Sequence, residues 1–175
     1  MAGMLLPSGN DAAEALAGTH RGGRRAFYRA MNRVAARIGA TDTVARNASG
    51  LTADGAHSSA RDLVLFLRAA LRTPVVKTVL SQESATIATV SGKGAHTVWR
   101  GTGYVNRYGD ALGKSGWTTP AQNTLVVATE MDGRRIAVAT LGAPDGYITP
   151  GTRALTEWAV ANMDALIPVG WLPPA

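Results

Sequence analysis

The sequence contains no cysteine. Disulfides, thiolate nucleophiles and cysteine-ligated metal centres are therefore excluded. Aromatic residues make up 6% and charged residues 17%, and no uninterrupted apolar run approaches membrane-spanning length. Lysine is scarcer still, confined to Lys77, Lys93 and Lys114. Acids are missing between Glu14 and Asp42, and that gap holds Arg21, Arg24, Arg25, Arg29, Arg33 and Arg37. The remaining basic residues balance the acids, so one segment carries the whole net charge of +6. A nucleic-acid partner is not expected from so local an excess, which is confined to one segment of the chain.

Against these absences stand 175 residues that are 46% apolar, with a mean hydropathy of +0.01. That is the composition of a globular chain able to bury a core. Met1–Pro7 lacks a basic n-region, is too short in its apolar part for a signal peptide, and reads as the end of a helix begun upstream. The spacing predicts a short helix over 11–17 and an amphipathic helix over 24–38. In the second, Phe27, Met31, Val34 and Ile38 form one arc, the arginines lie opposite, and Gly39 is the stop. Residues 40–58 read as a loop. Ser59 caps a helix over 60–72 whose apolar face is Leu63, Phe66, Leu67 and Ala70, and Pro74 opens a further turn. From Ser84 the period changes to that of strands, expected over 85–90 and 96–100. A further pair over 123–130 and 135–141 is closed by Asp132-Gly133. A last helix over 151–166 is expected to bury Leu155, Trp158, Ala159 and Met163. Helices followed by an antiparallel sheet, with a final helix packed back on it, make an α+β domain over 1–167 and a Pro-rich tail over 168–175.

His20, His57 and His96 lack metal-ligand spacing, and neither a metal nor another cofactor is expected. Trp99, Trp117, Trp158 and Trp171 are expected in the core or lining a cleft. Two short motifs remain. Ser8-Gly9-Asn10 precedes a helix and, alone, reads as a turn. Gly113-Lys114-Ser115 is not a phosphate loop, because the spacing to Gly109 is one residue short and no helix follows.

Together the two motifs match S-x-N and K-[ST]-G of the active-site-serine penicillin-binding enzymes. The surroundings, Met4-Leu5-Leu6-Pro7-Ser8-Gly9-Asn10-Asp11, Asn47-Ala48-Ser49-Gly50-Leu51, His57-Ser58-Ser59-Ala60-Arg61-Asp62-Leu63 and Gly113-Lys114-Ser115-Gly116-Trp117-Thr118, closely resemble the D-alanyl-D-alanine carboxypeptidase family. Asp132-Gly133-Arg134-Arg135 and Leu141-Gly142-Ala143-Pro144 extend the match. The resemblance implies an α/β (α+β) β-lactamase/D,D-peptidase-like fold, an antiparallel sheet flanked by helices but lacking its N-terminal strands and nucleophile helix.

It also implies a serine hydrolase that removes the terminal D-alanine from peptidoglycan stem peptides ending in D-Ala-D-Ala, through an acyl-enzyme, with β-lactams as inhibitors. Ser8 would then relay a proton towards the departing nitrogen, and Asn10 would bond the substrate amide and the lysine base. Lys114 and Ser115 would hold the terminal carboxylate. Gly116 would leave room for the substrate backbone, and the Trp117 N–H would donate to the oxyanion. Arg153 either assists carboxylate binding or is structural. A class A β-lactamase would need a deacylating glutamate after the second motif, and there is none between Glu14 and Glu83. A glutaminase on the same fold is a distant option.

The residues three before the lysines are Pro74, Val90 and Ala111, so no S-x-x-K, the family's nucleophile and base motif, occurs in this sequence. The 175 residues alone are therefore expected to be inactive. The alternative is a non-catalytic module that binds wall peptides. The family works outside the cytoplasmic membrane, and the Arg21–Arg37 helix could meet an anionic wall polymer or membrane surface.

Overall fold

A computed structural model describes residues 1–89, 94–108, 111–168 and 170. Most of the 168–175 tail, with Trp171, lies outside the described residues, as does Val90 at the end of its expected strand.

The chain opens with a one-turn helix, α1 (Ala2–Leu5), followed by α2 (Asn10–Gly18) and α3 (Gly23–Arg37). Gly39 stops α3 with a φ of 75°, its N–H donating to the Ala36 carbonyl. The loop to residue 58 is pinned by an isolated bridge between Val44 and His57. Helix α4 (Ala60–Arg72) has the expected bounds, and its Asp62 N–H donates to the Ser59 hydroxyl at 3.2 Å. Pro74 begins α5 (Pro74–Leu80). Strands β1 (Ser84–Ala88) and β2 (Ala95–Trp99) form an antiparallel pair of their own.

A short helix not anticipated from the sequence, α6 (Gly103–Arg107), leads into β3 (Leu112–Thr118), β4 (Gln122–Met131) and β5 (Arg134–Ala143). These form an antiparallel sheet in the order β3-β4-β5. At the β4–β5 turn Asp132 and Gly133 both take positive φ, 52° and 72°, the geometry that matches strand twist in a two-residue hairpin. Helix α7 (Ile148–Asn162) closes the order.

The main core lies on one face of that sheet. Leu125, Val127, Ile136 and Val138 pack with Tyr104 and Val105 of α6 and with Ala111, and Ile148, Ala159, Val160 and Met163 cover them. The alternate residues Val126, Ala128, Ala137 and Ala139 point to the opposite face. A smaller cluster joins Ala35, Ala40 and Leu65, with Ile38 and Phe66 against it.

Three sequence expectations are corrected. On α7, Leu155 and Trp158 are exposed, whereas Thr152 and Thr156 are fully buried. The Thr152 hydroxyl donates to the Thr140 hydroxyl (2.9 Å), and the Thr156 hydroxyl donates to the Thr152 carbonyl (2.8 Å), so two small, internally satisfied side chains let the helix lie close to the sheet. On α3 the deepest residue is Ala35, while Val34 is exposed, and on α4 Leu65 is buried rather than Leu63. Small or centrally placed residues win the close approach between these helices. The described tryptophans Trp99, Trp117 and Trp158 are all more than half exposed, so none is a core residue.

Candidate active site

The S-G-N segment forms the turn between α1 and α2. The Gly9 N–H donates back to the Gly3 carbonyl (3.1 Å), and the Gly101 N–H donates to the Leu6 carbonyl (2.8 Å) with Leu6 fully buried. A Cβ at Gly9 would collide with the Gly3 carbonyl oxygen, so the middle position of the motif demands glycine. Ser8 takes a φ of 62°, a left-handed backbone that costs a non-glycine residue on the order of 1–2 kcal/mol. That turn sets Ser8 and Asn10 on the surface, where their side chains make no hydrogen bond among the described residues. Glu14, one turn on, ties the segment down. It accepts from the Tyr28 hydroxyl (2.6 Å) and from the Ala48 N–H (2.8 Å). The Tyr28 bond holds its carboxyl below the usual carboxylate range, with the Ala48 and Ser49 amides and Arg24 assisting against the opposing effect of burial.

The second group lies along β3. Lys114, Ser115, Gly116 and Trp117 stand opposite Val126, Leu125, Thr124 and Asn123 of β4. Since β3 is an outer strand, its other edge pairs with no strand among the described residues. Gly113 is buried, and a Cβ there would meet the Val126 carbonyl oxygen and lie 2.9 Å from the Val127 Cα. This glycine lets β3 sit tightly on β4, a role the motif reading missed although the residue was in view. Gly116 is exposed, and the Thr124 hydroxyl donates to its carbonyl (3.1 Å).

Lys114 is half-buried, and its Nζ donates to the Ser115 carbonyl (2.8 Å). Among the described residues it has no carboxylate partner, and burial alone pulls its pKa down from the ordinary lysine value. A partly desolvated cation without a counter-ion among the described residues, on a strand whose outer edge pairs with no strand among them, is suited to bind a ligand carboxylate.

The structure thus keeps each motif together and joins the two indirectly. The S-G-N turn is bonded through Leu6 to Gly101. Two residues on, the chain enters α6, whose buried Tyr104 and Val105 pack with Ala111 at the foot of β3. No hydrogen bond among the described residues links Ser8 or Asn10 to Lys114. Arg153 stands in α7. Its Nε donates to Glu157 (2.6 Å), which with burial opposing raises its pKa, and its guanidinium lies 4.7 Å from the Tyr108 ring centre. His57 bonds within its own loop, its Nδ1 lying 3.0 Å from the Gly55 carbonyl oxygen.

A family model described as D-alanyl-D-alanine carboxypeptidase matches residues 1–145. The D-alanyl-D-alanine carboxypeptidase DacB2 of Mycobacterium tuberculosis is 39% identical over 169 residues, covering 91% of this chain and 56% of that protein. DacD of Escherichia coli is 34% identical over 172 residues, covering 91% of this chain and 41% of that protein. The chain therefore spans about half the length of the curated relatives it matches. Among solved structures, a D-alanyl-D-alanine carboxypeptidase from M. tuberculosis superposes with a TM-score of 0.80 at 35% identity, covering 96% of this chain and 64% of that one. The Streptomyces K15 DD-transpeptidase gives a TM-score of 0.80 at 26% identity, covering 94% of this chain and 66% of that one.

Proposed function

The chain belongs to the D-alanyl-D-alanine carboxypeptidase family, and from that premise we propose that residues 1–175 supply the part of a serine hydrolase site that grips peptidoglycan stem peptides ending in D-Ala-D-Ala. The observation that carries this reading is Lys114, a half-buried cation with no carboxylate partner among the described residues. A peptide carboxylate placed there restores the charge stabilisation that burial took away, so the gain is larger than for an exposed lysine. Ser115 donates its hydroxyl to the same carboxylate. Exposed Gly116 admits the substrate backbone along the strand, and the Trp117 N–H donates to the oxyanion.

Ser8 passes a proton to the departing D-alanine nitrogen, and Asn10 bonds the scissile amide's side of the peptide. The acyl bond itself forms on a serine outside these residues, since no S-x-x-K lies within them. That serine attacks the peptide carbonyl and D-alanine leaves. Water then cleaves the ester, and β-lactams stop the cycle at the acyl stage.

The site of action is the outer side of the cytoplasmic membrane. Among the described residues no helix is long and apolar enough to cross a membrane. Arg25, Arg29, Arg33 and Arg37 form an exposed row on α3 with no acidic partner among the described residues. That row suits an anionic wall polymer or lipid surface, with binding that weakens as salt is added.

The test is direct. Residues 1–175 are expected to bind a D-Ala-D-Ala peptide and to lose about tenfold or more of that affinity in Lys114→Ala with the fold intact. Equal binding by the variant overturns the reading. Labelled penicillin is expected to leave residues 1–175 unmodified, and to acylate a longer chain that adds an S-x-x-K motif. Covalent labelling of the 175 residues would place the nucleophile inside them instead.

A further inference from the structure

Beside the β1–β2 pair lies a surface pocket of about 290 Å³ lined by Glu83, Trp99, Arg100 and Asn106. The mechanism uses none of the four. Trp99 is 66% exposed at the end of β2, an unusual place for the largest apolar side chain.

Its polar neighbours are rigidly set. The Arg100 backbone N–H donates to the Glu83 carbonyl (2.8 Å) and the Arg100 Nε to the Asn106 Oδ1 (2.7 Å), while the Asn106 Nδ2 donates back to the Arg100 carbonyl (2.9 Å). This reciprocal pair fixes the guanidinium plane and engages both the oxygen and the nitrogen of the Asn106 carboxamide. Two groups are left unspent among the described residues, the Arg100 Nη2 donor and the Glu83 carboxylate, which forms no ion pair.

The combination selects a ligand class. An anion that reached Arg100 would be opposed by Glu83, and a cation that reached Glu83 would be opposed by Arg100. A neutral ring with hydroxyls on its rim and C–H groups on its face satisfies both. The hydroxyls donate to the carboxylate and accept from the guanidinium, and the C–H face packs on the indole. We infer that this pocket is a saccharide subsite, holding a pyranose ring of the glycan to which the stem peptide is attached. It rests on the peptide-site reading for the identity of that glycan.

The location agrees with such a ligand. The Gly101 N–H bonded to the Leu6 carbonyl ties the segment after Trp99 to the turn before Ser8. With two residues on each side of that bond, the backbones of Trp99 and Ser8 lie within roughly 20 Å of each other. A sugar and its attached peptide can bridge that span.

The experiment is a calorimetric or NMR titration of residues 1–175 with a β-1,4-linked N-acetylglucosamine tetramer, run alongside a D-Ala-D-Ala peptide. Saturable tetramer binding is expected, weakened about tenfold or more in Trp99→Ala and largely kept in Trp99→Phe. Glu83→Gln is expected to weaken it by a smaller factor, and peptide affinity should be unchanged in all three variants. No saturable tetramer binding, or full affinity in Trp99→Ala, overturns the subsite. Peptide binding through Lys114 without tetramer binding removes the subsite and leaves the peptide site standing. Tetramer binding through Trp99 without peptide binding does the reverse.

Discussion

The sheet has two outer strands, and they are finished in opposite ways. Along β3 run two glycines, a half-buried lysine with no acid beside it among the described residues, and an exposed tryptophan. Along β5 the run Ile136–Leu141 carries no charge, and the cation that opens the strand, Arg134, is closed off by two hydrogen bonds to Asp164 at 2.9 and 2.7 Å. Among the described residues neither outer edge pairs with a further strand. Open backbone alone invites any extended chain. What distinguishes β3 is that its cation has no carboxylate partner among the described residues and is partly dry, which on the proposed reading favours an extended chain that ends in an anion. Edge geometry is common to both strands; the proposed selectivity belongs to one.

The sharpest test of that contrast enlarges one small residue on each strand. At Gly113 a Cβ would meet the Val126 carbonyl oxygen and lie 2.7 Å from Val127 Cγ1 and 2.9 Å from its Cα. Because two of those atoms are backbone, no rotamer change relieves the clash. Gly113→Ala is expected to lower the unfolding free energy by about 3 kcal/mol. Exposed Ala137 on β5 has no such constraint, and Ala137→Val is expected to stay within about 0.5 kcal/mol of the parent. Gly116→Ala falls between, at about 1 kcal/mol, since its Cβ would meet the Thr124 hydroxyl at 3.0 Å, and that group can turn. Urea unfolding of the three variants reads this order directly. Similar losses at Gly113 and Ala137 would break the distinction between a tightly seated functional strand and an ordinary edge.

Much of this arrangement is legible in the sequence. Ser59, Asp132-Gly133 and Gly39 announce a cap, a hairpin and a helix stop, because each satisfies a local backbone requirement that neighbours do not alter. Both motifs fell on a turn and a strand as their composition implied. What escaped depends on partners remote in sequence. Asp62 reads as a first-turn acid, yet it is fully buried and accepts from the Asp42 N–H and the Thr43 hydroxyl, both at 2.8 Å. Helix α6 is too short to show a period, although its Tyr104 and Val105 anchor the core. The α7 face was misplaced because Thr152 and Thr156 look polar until their hydroxyls are paired with Thr140 and a helix carbonyl. The solvent exposure of Trp99 and Trp117 is likewise set by what packs nearby, which residue type does not reveal. The unpaired state of Lys114, on which the site reading depends, is a property of its surroundings alone.

A pH series sharpens the contrast between the two cations. Burial lowers the Lys114 pKa in the folded chain below the ordinary 10.5. Between those two values the unfolded chain holds a proton that the folded chain has released, so this lysine makes stability rise with pH across that window. Affinity for a peptide carboxylate runs the other way, falling as Lys114 loses its charge. The expected result is opposite slopes for stability and peptide affinity across that window, both abolished in Lys114→Met. Arg134 contributes to neither, because the Asp164 hydrogen bond and charge hold its pKa above the usual arginine value. Parallel slopes, or persistence in Lys114→Met, would remove the argument that a dry cation marks the functional edge.

The smallest effect is expected at the β5 cation, and it carries the last discrimination. Arg134 lowers the Asp164 pKa through its hydrogen bonds and charge. The pair's contribution is therefore present above the ordinary carboxyl value of 3.8 and lost as pH falls through the lowered one. Asp164 is 85% exposed, so solvent and salt screen most of that interaction. Asp164→Asn is expected to leave the neutral-pH unfolding midpoint unchanged within error and to flatten a shallow slope on the acid side. The same variant frees a cation beside an open strand edge, which makes it a direct probe of what β3 has and β5 lacks. If an unpaired charge beside unpaired backbone were sufficient, Asp164→Asn would gain affinity for a D-Ala-D-Ala peptide in a Lys114→Ala background. No gain is expected, because Arg134, once released, remains hydrated and a carboxylate would have to displace that water. Lys114 has already lost part of its own water to the fold. A measured gain would show that the open edge and the charge are enough, and that the burial of Lys114 is incidental to recognition.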